Sequence, residues 1–204
     1  SVTGDGAVLR YPRTGSELQI RARAVISATG VWTGELDPDV RLRPSRGTHL
    51  VVETARLGGS DVSLIVPVPG SGSRFVFTVP APHGRTYIGL TDVPADGPLP
   101  EIPQATDAEI DMLLETVNTV MARPLVRSDV TATFAGLRPL LDSTDHADAT
   151  GDTSDLSRRH AILESADGVL SVVGGKLTTY RQMAQDGVEA AVAWANSWSA
   201  PGRR

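Results

Sequence analysis

The sequence contains no cysteine. That absence excludes disulfides and thiolate metal sites, and it fits a reducing compartment. No apolar run approaches the roughly 20 residues that span a bilayer. Residues 1–10 (SVTGDGAVLR) lack the apolar stretch of a secretory signal. A cationic excess is missing as well: 19 Lys and Arg stand against 24 Asp and Glu, for a formal net charge of −5. No overall basic field therefore draws the chain to nucleic acid or to an anionic membrane. There is no GxGxxG after an early strand, no Walker loop, no HExxH and no GxSxG, which removes the usual signatures of nucleotide cradles, zinc proteases and serine hydrolases. Gly4 and Gly6 precede a strand, the wrong context for a pyrophosphate loop. No internal repeat is visible.

What is present is ordinary globular material. With 204 residues, 40% hydrophobic and 21% charged, the chain can build one large domain or two small ones with a real core. It starts at Ser1 inside a strand-and-turn segment, and we expect a piece of a longer chain.

Residues 1–23 alternate apolar and polar positions around a Thr14-Gly15 turn and predict a β-meander. Ala24-Val25-Ile26 is a continuous apolar run, which predicts a strand covered on both faces, as in an α/β sheet. Strands are expected around His49–Val52 and over 62–68, 74–79 and 85–91, separated by Pro- and Gly-rich turns that favour an antiparallel sheet. Thr106 and Glu109 have capping-box spacing ahead of a helix whose apolar stripe is Ile110, Leu113, Leu114, Val117 and Met121. Residues 129–141 predict a strand ending at Gly136, and residues 142–157 a solvated, mobile loop. Residues 158–164 and 169–173 predict a hairpin around Asp167-Gly168. Gly174-Gly175 opens a long helix with the stripe Leu177, Tyr180, Ala184, Val188, Ala191, Val192 and Ala195. Residues 197–204 read as a frayed tail.

Chemistry concentrates in a handful of stretches. Gly174, Gly175 and Lys176 lie between a buried strand and a helix start, where unpaired N–H groups and the helix dipole favour an anion, a phosphate or the electron-rich edge of a reduced flavin. A plain tight turn with a surface lysine has the same letters. Arg138 follows a glycine and precedes Pro139, which restricts its backbone to extended geometry. Its guanidinium is thereby aimed, either to clamp a carboxylate or phosphate or to make a surface ion pair. His49 sits where a loop becomes an apolar strand; it is a candidate general base or a structural histidine. Arg158 and Arg159 could grip a phosphate or be solvated charges on an edge strand. Ala28, Thr29 and Gly30 end the early buried strand with small residues that permit close approach of a dinucleotide.

Taken in order, the segments ISATGVWTGEL (26–36), RPSRGTHLVV (43–52), GRTYIGLTD (84–92), FAGLRPLL (134–141) and VVGGKLTTYRQMA (172–184) resemble the FAD-dependent, aerobic-type glycerol-3-phosphate dehydrogenases of the D-amino-acid-oxidase superfamily. The resemblance implies a mixed α/β (α+β) fold: the remainder of a Rossmann-like FAD-binding domain plus an antiparallel-sheet substrate domain. It places residues 1–40 and 134–196 in the first and 41–133 in the second. It implies oxidation of sn-glycerol 3-phosphate to dihydroxyacetone phosphate, with hydride passing to FAD and electrons to quinone. His49 is then the base for the C2 hydroxyl, and Arg138, Arg158 and Lys176 serve the phosphate and the developing oxyanion. Ala28, Thr29 and Gly30 lie by the adenosine half of FAD, and Gly174, Gly175, Leu177 and Thr178 by the flavin ring. A cytoplasmic location follows, with room for peripheral membrane contact and a homodimer. A flavin oxidase of an amino or hydroxy acid, or a non-catalytic fragment, is the alternative. The family's N-terminal glycine-rich unit and its C-terminal helical extension have no counterpart in these residues.

Overall fold

The computed structural model describes residues 1–59, 61–95, 97–141 and 159–198. They divide into two compact units: Ser1–Arg43 with the residues from Pro139 on, and Pro44–Arg138.

In chain order, the first unit opens with β1 (Val2–Thr3), β2 (Gly6–Arg10) and β3 (Glu17–Arg21), an antiparallel meander. Strand β4 (Val25–Ser27) follows, then a 3₁₀ turn over Gly30–Trp32 and the short helix α1 (Thr33–Leu36). The second unit contains β5 (Ser45–Glu53), β6 (Ile65–Pro67), β7 (Phe75–Ala81), β8 (Arg85–Gly89), β9 (Val93–Pro94), α2 (Asp107–Asn118) and β10 (Val130–Arg138). The chain re-enters the first unit with β11 (His160–Glu164), β12 (Val169–Gly174) and α3 (Tyr180–Trp198). Among the described residues no helix is long and apolar enough to cross a membrane.

In the first unit β12 lies between β11, antiparallel, and β4, parallel. The parallel pair agrees with the α/β reading of residues 24–26. The expected cover on both faces does not hold among the described residues, because Ile26 is 41% exposed. Helix α3 also packs through a different face from the expected one. A Cβ on Gly175 would strike Met183, one on Gly187 would press on Val172, and one on Gly168 would strike Trp194. The helix therefore lies on the sheet through Met183, Gly187 and Trp194. Tyr180, Val188 and Val192 of the expected stripe are more than half exposed. Gly187 explains the discrepancy: a position of closest approach needs the smallest residue, and glycine carries no hydrophobic signal. Helix α3 runs through Ser197 to Trp198, where a frayed tail was expected. Residues 142–157 and 199–204 lie outside the described set.

The second unit is an antiparallel sheet ordered β10-β5-β8-β7-β6, with β9 also pairing with β5. Alternation is clean along β7: Phe75, Phe77 and Val79 are exposed while Val76 and Thr78 are buried. One face is closed by α2, whose Leu113, Leu114 and Val117 pack with Leu50, Val52, Val76, Ile88 and Leu125. The helix begins as its sequence requires, with Thr106 accepting from the Glu109 amide and the Glu109 carboxylate accepting in return. Strand β10 does not stop at Gly136. It stays paired with β5 as far as Arg138 opposite Ser45, and the second compact unit runs to that residue.

Glu109 is more than a cap. It is 4% exposed and accepts from Arg46 Nε at 2.9 Å, Thr48 Oγ1 at 3.0 Å, Thr91 Oγ1 at 2.8 Å and Thr106 Oγ1 at 2.8 Å. Burial pushes its carboxyl up; the hydrogen bonds from Thr106, Thr91 and Thr48 outweigh that, and the net displacement is downward. Glu109→Ala takes the acceptor from Arg46, Thr48 and Thr106 and leaves Thr91 only the longer bond to the Arg46 carbonyl, so a loss of about 3 kcal/mol is expected. Chemical denaturation measures it; a change below about 1 kcal/mol contradicts the role of this carboxylate as the node joining α2 to the sheet.

Candidate active site

The face of the second sheet that α2 does not cover carries two of the candidate residues. Along β5 it presents Ser45, Gly47, His49 and Val51. The register sets Arg138 opposite Ser45, Gly136 opposite Gly47 and Phe134 opposite His49, while Gly89 of β8 flanks His49 on the other side. Period-2 geometry puts all of these on one face. His49 and Arg138, chosen separately from the sequence, thus share a surface.

Two glycines make room for the two functional groups. A Cβ on Gly47 would strike the Arg138 guanidinium, and a Cβ on Gly89 would strike the His49 ring. The guanidinium lies over Gly47, where Nη1 donates to Ser45 Oγ at 3.2 Å and Nη2 to the Thr91 carbonyl at 3.1 Å. The Asp92 carboxylate is 3.6 Å from Nη1, and Ser45 donates its own hydrogen to Asp92. The His49 ring stacks on Phe134 with centroids 4.7 Å apart and planes 8° from parallel. Tyr87 meets Phe134 edge-on, at 5.4 Å and 81°. Among the described residues, His49 Nδ1 is buried without a hydrogen-bond partner. Burial, and then the charge of Arg138, hold the imidazole below its usual value, so His49 is neutral at neutral pH and able to take a proton. Phe134 and Phe77 remain 45% and 39% exposed beside it, an apolar surface around a polar centre.

The first unit holds the other candidates. Gly174 and Gly175 have φ of 71° and 79°, conformations that favour glycine, and each is also in tight packing contact, with Arg159 and Met183 respectively. The α-helix does not begin at once as expected. A 3₁₀ turn over Leu177–Thr179 comes first, with Thr179 Oγ1 closing back on the Lys176 carbonyl at 3.0 Å. Lys176, Leu177 and Thr178 are exposed. At the end of β4, Thr29 bonds Ser27 and Thr33 through hydroxyls at 3.1 and 3.2 Å. Gly30 has φ of 61° with open space where a Cβ would stand. The end of β4 thus leaves open space at Gly30, whereas the Cβ positions of Gly174 and Gly175 after β12 are filled; Ala28 is exposed beside Thr29. Arg158 lies outside the described residues.

Sequence reasoning missed the partners. Ser45, Gly47, Gly89, Asp92 and Phe134 all lie inside the quoted segments, but only strand register gives them their roles.

Residues 2–181 match the family described as FAD dependent oxidoreductase. The chain belongs to that family. Glycerol-3-phosphate dehydrogenase 1 of Mycobacterium tuberculosis is 50% identical over 192 residues, covering 94% of this chain and 37% of the relative. The solved glycerol-3-phosphate dehydrogenase from Bacillus halodurans, complexed with FAD, superposes with a TM-score of 0.77 at 31% identity, over 94% of this chain and 36% of that one. Glycine oxidase from Bacillus cereus shares the fold at a TM-score of 0.54 and 16% identity, over 91% of this chain and 46% of that one. The chain spans little more than a third of the length of the two dehydrogenases.

Proposed function

We propose that this chain supplies the substrate-facing sheet and part of the cofactor-facing unit of an FAD-dependent glycerol-3-phosphate dehydrogenase, which oxidises sn-glycerol 3-phosphate to dihydroxyacetone phosphate. The observation that carries the reading is the shared face of His49 and Arg138. The identity with enzymes of that name supports it.

The chemistry needs two groups of opposite habit on one surface. Arg138, fixed over Gly47, offers a planar fork of donors to a phosphate. His49, neutral and half-buried, takes the proton of the C2 hydroxyl as the C2–O bond becomes a carbonyl. FAD, when bound, supplies the acceptor for the hydride that leaves C2. Phe134, Tyr87 and Phe77 keep water from the reacting carbon. Lys176 and Arg158 are assigned to the substrate as well, on the resemblance alone. Gly174 and Gly175 are assigned to the flavin edge on the resemblance, with Leu177 and Thr178 beside them. Ala28, Thr29 and Gly30 suit the adenosine half. These residues fit the cofactor, but the 204 residues hold no glycine-rich loop for its pyrophosphate. Quinone as electron acceptor, a cytoplasmic location with peripheral membrane contact, and a homodimer belong to the same proposal on the resemblance.

Two results test the reading. The protein expressed from its complete gene and loaded with FAD is expected to reduce a dye acceptor with glycerol 3-phosphate and not with glycine or a D-amino acid. The reverse preference transfers the chain to the amino-acid oxidases. The 204 residues expressed alone are expected to purify colourless, because they contain no GxGxxG to hold the pyrophosphate; a yellow, stoichiometric flavoprotein contradicts that.

A further inference from the structure

Two of the groups that hold the Arg138 guanidinium come from one short stretch of chain. Thr91 and Asp92 follow β8, and between them they present a carbonyl to Nη2 and a carboxylate to Nη1. Ser45 bridges: its hydroxyl accepts from Arg138 and donates to Asp92. Ser45 is fully buried, and the Arg138 and Asp92 side chains are only 21% and 15% exposed. Water screens such a pair weakly, so the carboxylate's pull on the guanidinium outweighs that of an exposed ion pair. A flexible arginine without these anchors loses its orientation over Gly47.

We propose that Asp92 is a positioning residue: through Ser45 it fixes the guanidinium of Arg138 in the plane that receives the substrate's phosphate. The inference rests on the reading of Arg138 as the phosphate clamp. Asp92 touches neither the reacting carbon nor its proton, so its contribution falls on substrate capture and reaches the chemistry only through Arg138.

The test is a double-mutant cycle on the FAD-loaded enzyme from the complete gene, with glycerol 3-phosphate as substrate. Asp92→Asn keeps the shape and removes the charge. It is expected to raise KM about tenfold while kcat stays within about threefold. In an Arg138→Ala background the same substitution is expected to leave KM unchanged, because the group it positions is gone. Ser45→Ala repeats the cycle without altering any charge, and it carries the test if Asp92→Asn does not fold. An unchanged KM in both single variants, or an equal rise with and without Arg138, overturns the proposal. If Arg138→Ala itself leaves KM unchanged, the phosphate reading of Arg138 fails and this inference fails with it. If Arg138→Ala raises KM while the Asp92 and Ser45 variants do not, the positioning role alone is lost.

Discussion

Arg138→Ala in the FAD-loaded enzyme is expected to raise the KM for glycerol 3-phosphate about a hundredfold. Truncating one partner of a desolvated, hydrogen-bonded charge pair costs about 2–5 kcal/mol, and about 2.8 kcal/mol is a factor of about 100. Pro139 and the anchors at Ser45 and Thr91 pre-orient the guanidinium, so little entropy is lost on binding and the contact keeps most of its strength. Arg138→Lys is expected to recover only part of the loss, since an ammonium cannot make the planar two-point contact. Steady-state kinetics with a dye acceptor read both variants. A KM within about threefold of the parent for Arg138→Ala removes this residue from the substrate site.

His49→Gln is expected to lower kcat by at least about a hundredfold, the lower end of what positioned general bases contribute, with a smaller change in KM. The unsubstituted enzyme carries a second sign of the same role. Burial and the charge of Arg138 both disfavour the imidazolium, so its folded-state pKa lies below 6.5. With His49 in the proposed role the base form is the active one, and kcat/KM is expected to rise with pH through a midpoint below the usual imidazole value of 6.5 and then level. Removing Arg138 takes away one of the two depressing influences, and the midpoint of Arg138→Ala is expected to move up toward 6.5. A midpoint above 6.5 in the parent, or a kcat for His49→Gln within about threefold, contradicts the assignment.

Local signals carried much of the fold. The start of α2 was legible because a capping box needs only Thr106, Glu109 and the backbone between them. The strands of the second unit were legible because alternation is a local pattern, as Phe75, Val76, Phe77 and Thr78 illustrate. The errors fell where a glycine stands for a contact. Gly136 looked like the end of a strand, yet it pairs with Gly47 inside a continuous ladder, and Gly47 lacks a side chain because the Arg138 guanidinium occupies that space. The packed face of α3 was misread for the same reason at Gly187. In a strand or helix interior, a glycine can mark a close approach, and what approaches is not written beside it.

The candidate site divides in the same way. Arg138 and His49 announce themselves by charge, by proton affinity and by position at a strand. Their supports do not: Phe134 stacks on His49, and Asp92 reaches Arg138, only because β10, β5 and β8 lie side by side in one register. Glu109 was read as a cap and is also the acceptor for Arg46, Thr48 and Thr91. Such roles are long-range in the chain, and no local pattern encodes them.

A crystal structure of the FAD-loaded enzyme with glycerol 3-phosphate bound bears most directly on the central claim. The phosphate is expected within hydrogen-bond distance of the Arg138 guanidinium, with the C2 hydroxyl within reach of the His49 ring. Substrate bound away from the sheet face that carries Gly47 and Gly89, with its phosphate out of reach of Arg138, contradicts it.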